Sequence, residues 1–275
     1  MNIAGLIDIG VNLTNKRFDK DRDDIILRAR MANVSRLFIT GTNVAESQKA
    51  LALCQSYQKT FPEYLYCTAG VHPHDADRVT TDYLDQLQEL AKGGQVKAIG
   101  ECGLDFNRNF SAPSQQLKIF SEQVALAEKL AMPLFLHQRD AFEPWFTTLS
   151  PYIGKIPAMI SHCFTGTKNE LEQCLAADMY IGITGWLCDE RRGQGLRDII
   201  NLIPLNRLLL ETDAPYLTPR TIRPKPKSSR NEPSYLPYIV KEIASITGID
   251  QEEIARETSL NAQKAFNLTT IEGLL

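Results

Sequence analysis

A parallel (β/α)8 barrel, the TIM-barrel class of α/β fold, is what this sequence predicts, and three observations predict it. Eight short apolar runs recur along the chain, and a stretch with helical spacing follows each of them. Residues with catalytic chemistry stand at the ends of these runs all round the series. An open doubly wound sheet is the competing reading of the same alternation, but it gathers such residues near one switch point. No composition break interrupts the pattern, so residues 1–275 are expected to form one domain.

The strand-like runs are residues 3–7, ending at Asp8; 36–40, closed by Gly41; and 64–69, running into Gly70-Val71-His72-Pro73-His74. The fourth covers 96–101, with Glu101 at its last position before a glycine turn that carries Asp105. Residues 132–136 lead into His137, 158–161 into His162, 180–184 form the seventh run, and 207–212 lead into Asp213. Helical spacing appears over 21–32, where Ile25, Ile26 and Ala29 share a face, and over 45–57, 82–91, 114–130, 141–149, 168–177 and 195–202. Pro113 suits the start of the fourth helix, because a first-turn residue needs no backbone N–H. A proline-rich basic loop over 216–231 precedes helices at 235–247, 251–257 and 259–267, which are placed to close the barrel wall.

Composition narrows the function. With 43% hydrophobic residues the chain can bury a sizeable core. No apolar run approaches the length of a membrane span and the N-terminus lacks a signal-peptide pattern, so a soluble, cytoplasmic protein is expected. Six cysteines without a Cys-x-x-Cys spacing indicate reduced thiols rather than a zinc ribbon or a disulfide framework. A net charge of -3 argues against a protein that coats nucleic acid, while leaving room for one local basic patch. Nothing resembles a coiled-coil seam, so a monomer is the default.

The strand ends carry the chemistry. A divalent ion that must keep open positions for water and substrate needs a few imidazole or carboxylate ligands from separate elements. Glu101, His137, His162 and Asp213 supply two of each from four strand ends. Singly, a strand-end histidine is a hydrogen-bonded structural residue and Asp213 a turn cap. Together they predict a convergent metal site, since the chain has only four histidines and two follow apolar strands directly. His72 and His74 fall outside that ligand set and are candidates for donating to phosphate oxygens, their alternative being a turn fixed by Pro73. Arg220, Arg223, Lys225, Lys227 and Arg230 form a candidate basic lip after the eighth strand, or else a solvated loop. Phe106, Phe164, Trp186 and Tyr216 are candidates for stacking on bases, or for packing at the mouth.

Gly100-Glu101-Cys102-Gly103-Leu104-Asp105, Pro133 to Arg139, Ser161-His162-Cys163-Phe164-Thr165-Gly166 and Glu211-Thr212-Asp213-Ala214-Pro215 resemble the motifs of the TatD family of metal-dependent deoxyribonucleases. Gly70 to His74 and Arg230-Asn231-Glu232-Pro233 match as well, so the resemblance covers nearly the whole chain. It implies an amidohydrolase-like TIM-barrel metallohydrolase, acting as a 3'-5' exonuclease on single-stranded DNA and RNA, with a role in repair of oxidatively damaged DNA. Glu101, His137, His162 and Asp213 would be its metal residues, with Glu101 and Asp213 catalytic and Arg139 joining His72, His74, Arg220 and Arg230 in substrate binding. Asp213 is either proton acceptor or ligand.

One departure stands out. Gly10 and Asn12 occupy the positions where most of the family carries His-x-His. The expectation is therefore one ion at Glu101, His137 and His162, with Mg2+ favoured over Mn2+ or Zn2+, and a second entering with substrate phosphate. An amide or ester hydrolase on the same barrel and a catalytically degenerate binding module are the alternatives.

Overall fold

The structure, a computed structural model, describes residues 5–268. Residues 3–4 of the expected first strand, and both ends of the expected domain, lie outside that range. Eight strands run parallel in one sheet in chain order: β1 (Leu6–Val11), β2 (Val34–Ile39), β3 (Leu65–Ala69), β4 (Val96–Asp105), β5 (Leu134–Arg139), β6 (Met159–Ser161), β7 (Tyr180–Ile183) and β8 (Leu208–Leu210). The helices are α1 (Arg22–Met31), α2 (Val44–Tyr57), α3 (Tyr83–Ala91), α4 (Pro113–Leu130), α5 (Phe142–Leu149), α6 (Lys168–Ala176), α7 (Gln194–Ile199), α8 (Leu236–Thr247) and α9 (Gln251–Ala265). Local chemistry sets several ends. Asn43 caps α2 by accepting from the Glu46 N–H at 2.9 Å, Thr167 and Glu170 form a reciprocal capping box on α6, and Pro113 opens α4.

At the seam between β1 and β8, bonds join residues at and just beyond the strand ends, with one parallel bridge between Val11 and Ala214. Asn12 N–H donates to the Ala214 carbonyl at 2.7 Å and Asp213 N–H to that of Gly10 at 2.8 Å. The buried Asp8 carboxyl adds side-chain bonds, accepting from Thr212 N–H at 2.9 Å and meeting Thr212 Oγ1 at 2.6 Å. The first strand was expected to end at Asp8; it continues to Val11 because these bonds make Asp8 part of the seam.

Two apolar layers result from the period of two along each strand. Ile7, Ile9, Phe38, Phe135, Ile160 and Leu209 point inward and pack with Phe266, whose ring lies 4.1 Å from that of Phe38. Their neighbours, such as Leu37, Leu134, Leu136 and Leu208, face outward against the helices. Fully burying one such side chain is worth roughly 2–3 kcal/mol. Two further expectations change. The fourth strand does not stop at Glu101 but slips register between Gly100 and Cys102 and runs on to Asp105 beside β5. Gly103 permits this: its φ is +147°, and a β-carbon there would sit 1.8 Å from the His137 carbonyl oxygen. The expected helices over 251–257 and 259–267 are one helix, α9, because Thr258 stays helical and returns its hydroxyl to the Ile254 carbonyl at 2.7 Å. No helix among the described residues is long and apolar enough to cross a membrane.

Candidate metal centre

Strand parity places the site. Residues two beyond inward-facing Phe135, Ile160 and Leu209 are His137, His162 and Glu211, one layer nearer the C-terminal mouth. Glu101 reaches the same layer from β4. One oxygen of its carboxylate, Oε1, meets His162 Nε2 at 2.8 Å, His137 Nδ1 at 2.9 Å and His72 Nε2 at 3.3 Å. His72, read from sequence as lying outside the ligand group, is thus brought into it. Its turn is held by a bond from His72 N–H to the Thr42 carbonyl at 2.8 Å. The ligand atoms of His72, Glu101 and His137 all lie within 4.8 Å of one another.

Asp213 lines the same cleft, just past β8. Its backbone is left-handed, with φ +51°, a strained conformation of the kind found at functional sites. Asn12 Nδ2 donates to Asp213 Oδ1 at 2.9 Å, so Asn12 buttresses the carboxylate from the position where the family pattern has a histidine.

Two carboxylates without an assigned role in the sequence reading orient the imidazoles. Glu211, fully buried, meets His162 Nδ1 at 3.2 Å and accepts from the Cys163 N–H. Asp105 meets His74 Nε2 at 2.7 Å and stands 3.7 Å from Nε2 of His137. Such outer partners fix the ring orientation of a ligating histidine. Two glutamines on one face of α4 hold the chain segments carrying these groups. Gln123 bonds both the N–H and the carbonyl of Val71, at 2.7 and 3.0 Å, and Gln116 does the same for Asp105, at 2.9 and 3.1 Å. Glu211 shares the parity of Leu209 and was open to the period-two argument; side-chain-to-backbone clamps such as Gln123 leave no periodic signal.

Electrostatics follow from this crowding. Burial pushes the Glu101 carboxyl upward, but the His162 and His72 charges and the bonds from His137 and His162 outweigh it and hold it well below its usual range. Burial opposes charge on His162 and His137 too. Glu101 and Glu211 overcome it and raise His162 well above its ordinary value, while Asp105 and Glu101 raise His137. Desolvation dominates at His72, which falls to about 4. At Asp213 burial outweighs His162, and with the Glu101 and Glu211 charges lifts it to about 7.

The donor set fits a divalent cation. Three imidazoles converge on one carboxylate oxygen, and His137 Nε2 is buried with no hydrogen bond among the described residues, Asp105 Oδ2 standing 3.7 Å away. A bound ion would take the place of the protons that the neighbouring carboxylates favour on His137 and His162.

The cluster lies in a cleft of about 1850 Å³ whose lining includes His74, Arg139, Lys16, Lys49, Arg108, Lys168 and Arg192. Arg220 and Arg230 are not among its lining residues. Arg230 grips Asp21 through two nitrogens, at 2.8 and 2.6 Å, and Arg220 Nε stands 4.0 Å from Asp189 Oδ1. Arg223 donates to the carbonyl of Arg220 at 2.7 Å. Arg230 and Arg223 thus help to anchor the 216–231 loop, and the positive groups lining the cleft come from other elements, among them β5, α2 and α6. Of the four aromatic candidates, Trp186 and Tyr216 line the cleft, whereas Phe164 is buried and Phe106 packs on the core.

A TIM barrel whose mouth surrounds a glutamate with histidines is the architecture of the metal-dependent hydrolases. The family model described as TatD related DNase matches residues 7–267. A protein from Erwinia tasmaniensis named 3'-5' ssDNA/RNA exonuclease TatD is 55% identical over 263 residues, 96% of this chain and 100% of that one. Its namesake from Pectobacterium atrosepticum is 52% identical over the same shares. Among solved structures, a TatD family hydrolase from Entamoeba histolytica superposes with a TM-score of 0.88 at 29% identity, covering 96% of this chain and 99% of that one. A TatD homolog from Escherichia coli gives 0.86 at 26% identity, over 97% and 100%. The chain belongs to the TatD-related DNase family.

Proposed function

We propose that this protein hydrolyses phosphodiester bonds as a 3'-5' exonuclease on single-stranded DNA and RNA, using a divalent ion held by Glu101, His137 and His162. The observation that carries the reading is the convergence of His72, His137 and His162 on one oxygen of Glu101 in a cleft whose lining mixes acidic and basic side chains. The names of relatives sharing half of its residues support the substrate class. Mg2+ is the proposed ion, because the missing first-strand imidazoles leave a harder site. The approach of His72 makes Mn2+ its nearest competitor.

A divalent ion at this place supplies Lewis acidity to a phosphoryl oxygen. The chain's own residues do the rest. Glu211 holds the His162 ring through Nδ1 and leaves Nε2 facing Glu101. Asp213 takes the proton of the attacking water at Oδ2, since Oδ1 is engaged by Asn12, and its raised value of about 7 suits a base working near neutrality. Arg139 and His74 face the cleft, where they bind substrate phosphate. Six free cysteines support work in the reducing cytoplasm, and a monomer is the proposed state.

A 5'-labelled single-stranded oligonucleotide tests the reading. It should shorten in single-nucleotide steps with Mg2+ or Mn2+, and stay intact with chelator or with Glu101→Ala. A binding module would retain the oligonucleotide uncut under every condition, and undiminished cleavage by Glu101→Ala would remove the assigned centre.

A further inference from the structure

Phe110 places an exposed aromatic ring beside the metal centre. It lies on the loop between β4 and α4, lines the cleft and is 63% exposed. Its ring meets that of His74 edge to face, with centroids 4.7 Å apart and planes at 85°. His74 in turn stands 4.3 Å from His72 and 6.4 Å from His137, ring to ring. Phe110 is therefore two ring spacings from the ligand group.

The ring is held in place. Buried Ser111 donates its hydroxyl to the His74 carbonyl at 3.1 Å and accepts from the Asp77 N–H at 3.1 Å. Ala112 N–H donates to Asp77 Oδ2 at 3.0 Å, and Asn109 Nδ2 donates to the Phe106 carbonyl at 2.8 Å. The chain following Phe110 is thus tied to the turn that carries His74, and the residue before it is held within its own loop, while the ring keeps apolar surface in water. An exposed aromatic ring at the wall of a phosphate-cutting cleft has an obvious complement in a nucleobase. A duplex keeps its base faces stacked and paired; an unpaired strand end offers them.

We propose that Phe110 is the base-stacking residue for the nucleotide next to the scissile phosphate, and that this contact makes the site select unpaired 3' ends. The inference rests on the exonuclease reading and adds its specificity determinant.

The test uses the whole protein and single-stranded oligonucleotides with every base present, or with the base removed from the last or the next-to-last nucleotide. Affinity is read by fluorescence anisotropy in chelator, and kcat/KM is read with Mg2+ or Mn2+. Phe110→Ala is expected to weaken binding and kcat/KM on the intact oligonucleotide by roughly 5- to 100-fold, the range for one lost base stack. That loss should shrink to within about twofold on one of the two base-free substrates, where nothing remains to stack. Phe110→Leu, apolar but without a π face, should behave like Phe110→Ala, and Phe110→Trp should recover most of the loss. An equal loss on all three substrates, or no loss at all, overturns the proposal. Wild-type protein that binds but never cuts defeats the exonuclease reading instead, and the anisotropy series still decides whether Phe110 contacts a base.

Discussion

The Glu211 carboxylate fills the space that a side chain on Gly10 would need: a β-carbon at position 10 would lie 2.5 Å from Glu211 Oε2 and 3.2 Å from Phe135 Cζ. The missing first-strand histidine is therefore matched by its surroundings. Glu211 uses the vacated room to orient His162 and to bind Cys163 N–H. Gly10→Ala should push Glu211 off these partners. The expected result is a loss of roughly 1–3 kcal/mol in chemical denaturation, with Mn2+ affinity by calorimetry lowered roughly tenfold as His162 loses its support.

Asp8 should make stability fall as pH rises toward neutrality. Burial, opposed by its bonds to Thr212 and Gly10, raises its carboxyl from 3.8 to about 7. Between those values the folded state holds a proton that the unfolded chain releases, so the stabilisation is complete below the lower value and is lost through the higher one. The slope from this group is at most about 1.4 kcal/mol per pH unit. Asp8→Asn keeps an acceptor for Thr212 N–H and gains a permanent donor for Thr212 Oγ1. Urea denaturation from pH 4 to 8 should show a flatter profile for this variant, and superimposable profiles would contradict the assignment.

Gln123 holds the turn that presents His72. Gln123→Leu would leave the Val71 N–H and carbonyl without their partners, at a cost of roughly 2–5 kcal/mol. Metal titration of the folded variant should show weaker binding, because His72 no longer has a fixed turn.

Arg139 and Arg230 should separate by assay. Oligonucleotide binding in chelator across a salt series should lose about 0.7 from its log–log slope in Arg139→Ala, the value for one phosphate contact to a single strand. Arg230→Ala should leave that slope unchanged and instead cost about 1 kcal/mol of stability, because its guanidinium belongs to Asp21.

The barrel was legible because strand and helix periods alternate eight times, and the centre because Glu101, His137 and His162 each end or follow an apolar run. Proximity across the sheet was less so. His72 follows β3 by several residues, and its arrival at Glu101 depends on how Gln123 and Thr42 hold that turn. The surroundings of the basic lip were equally hidden: a cluster of cations in sequence does not reveal that Asp21 stands beside Arg230 and Asp189 near Arg220. Phe110 sits on an irregular loop, where periodicity carries no information.

Anomalous diffraction from crystals soaked in Mn2+ tests the central claim most directly. The account predicts an ion in contact with the Glu101 carboxylate and with at least two of the imidazoles of His72, His137 and His162. An ion bound away from Glu101, or a saturating soak that leaves this cluster without manganese, would contradict it.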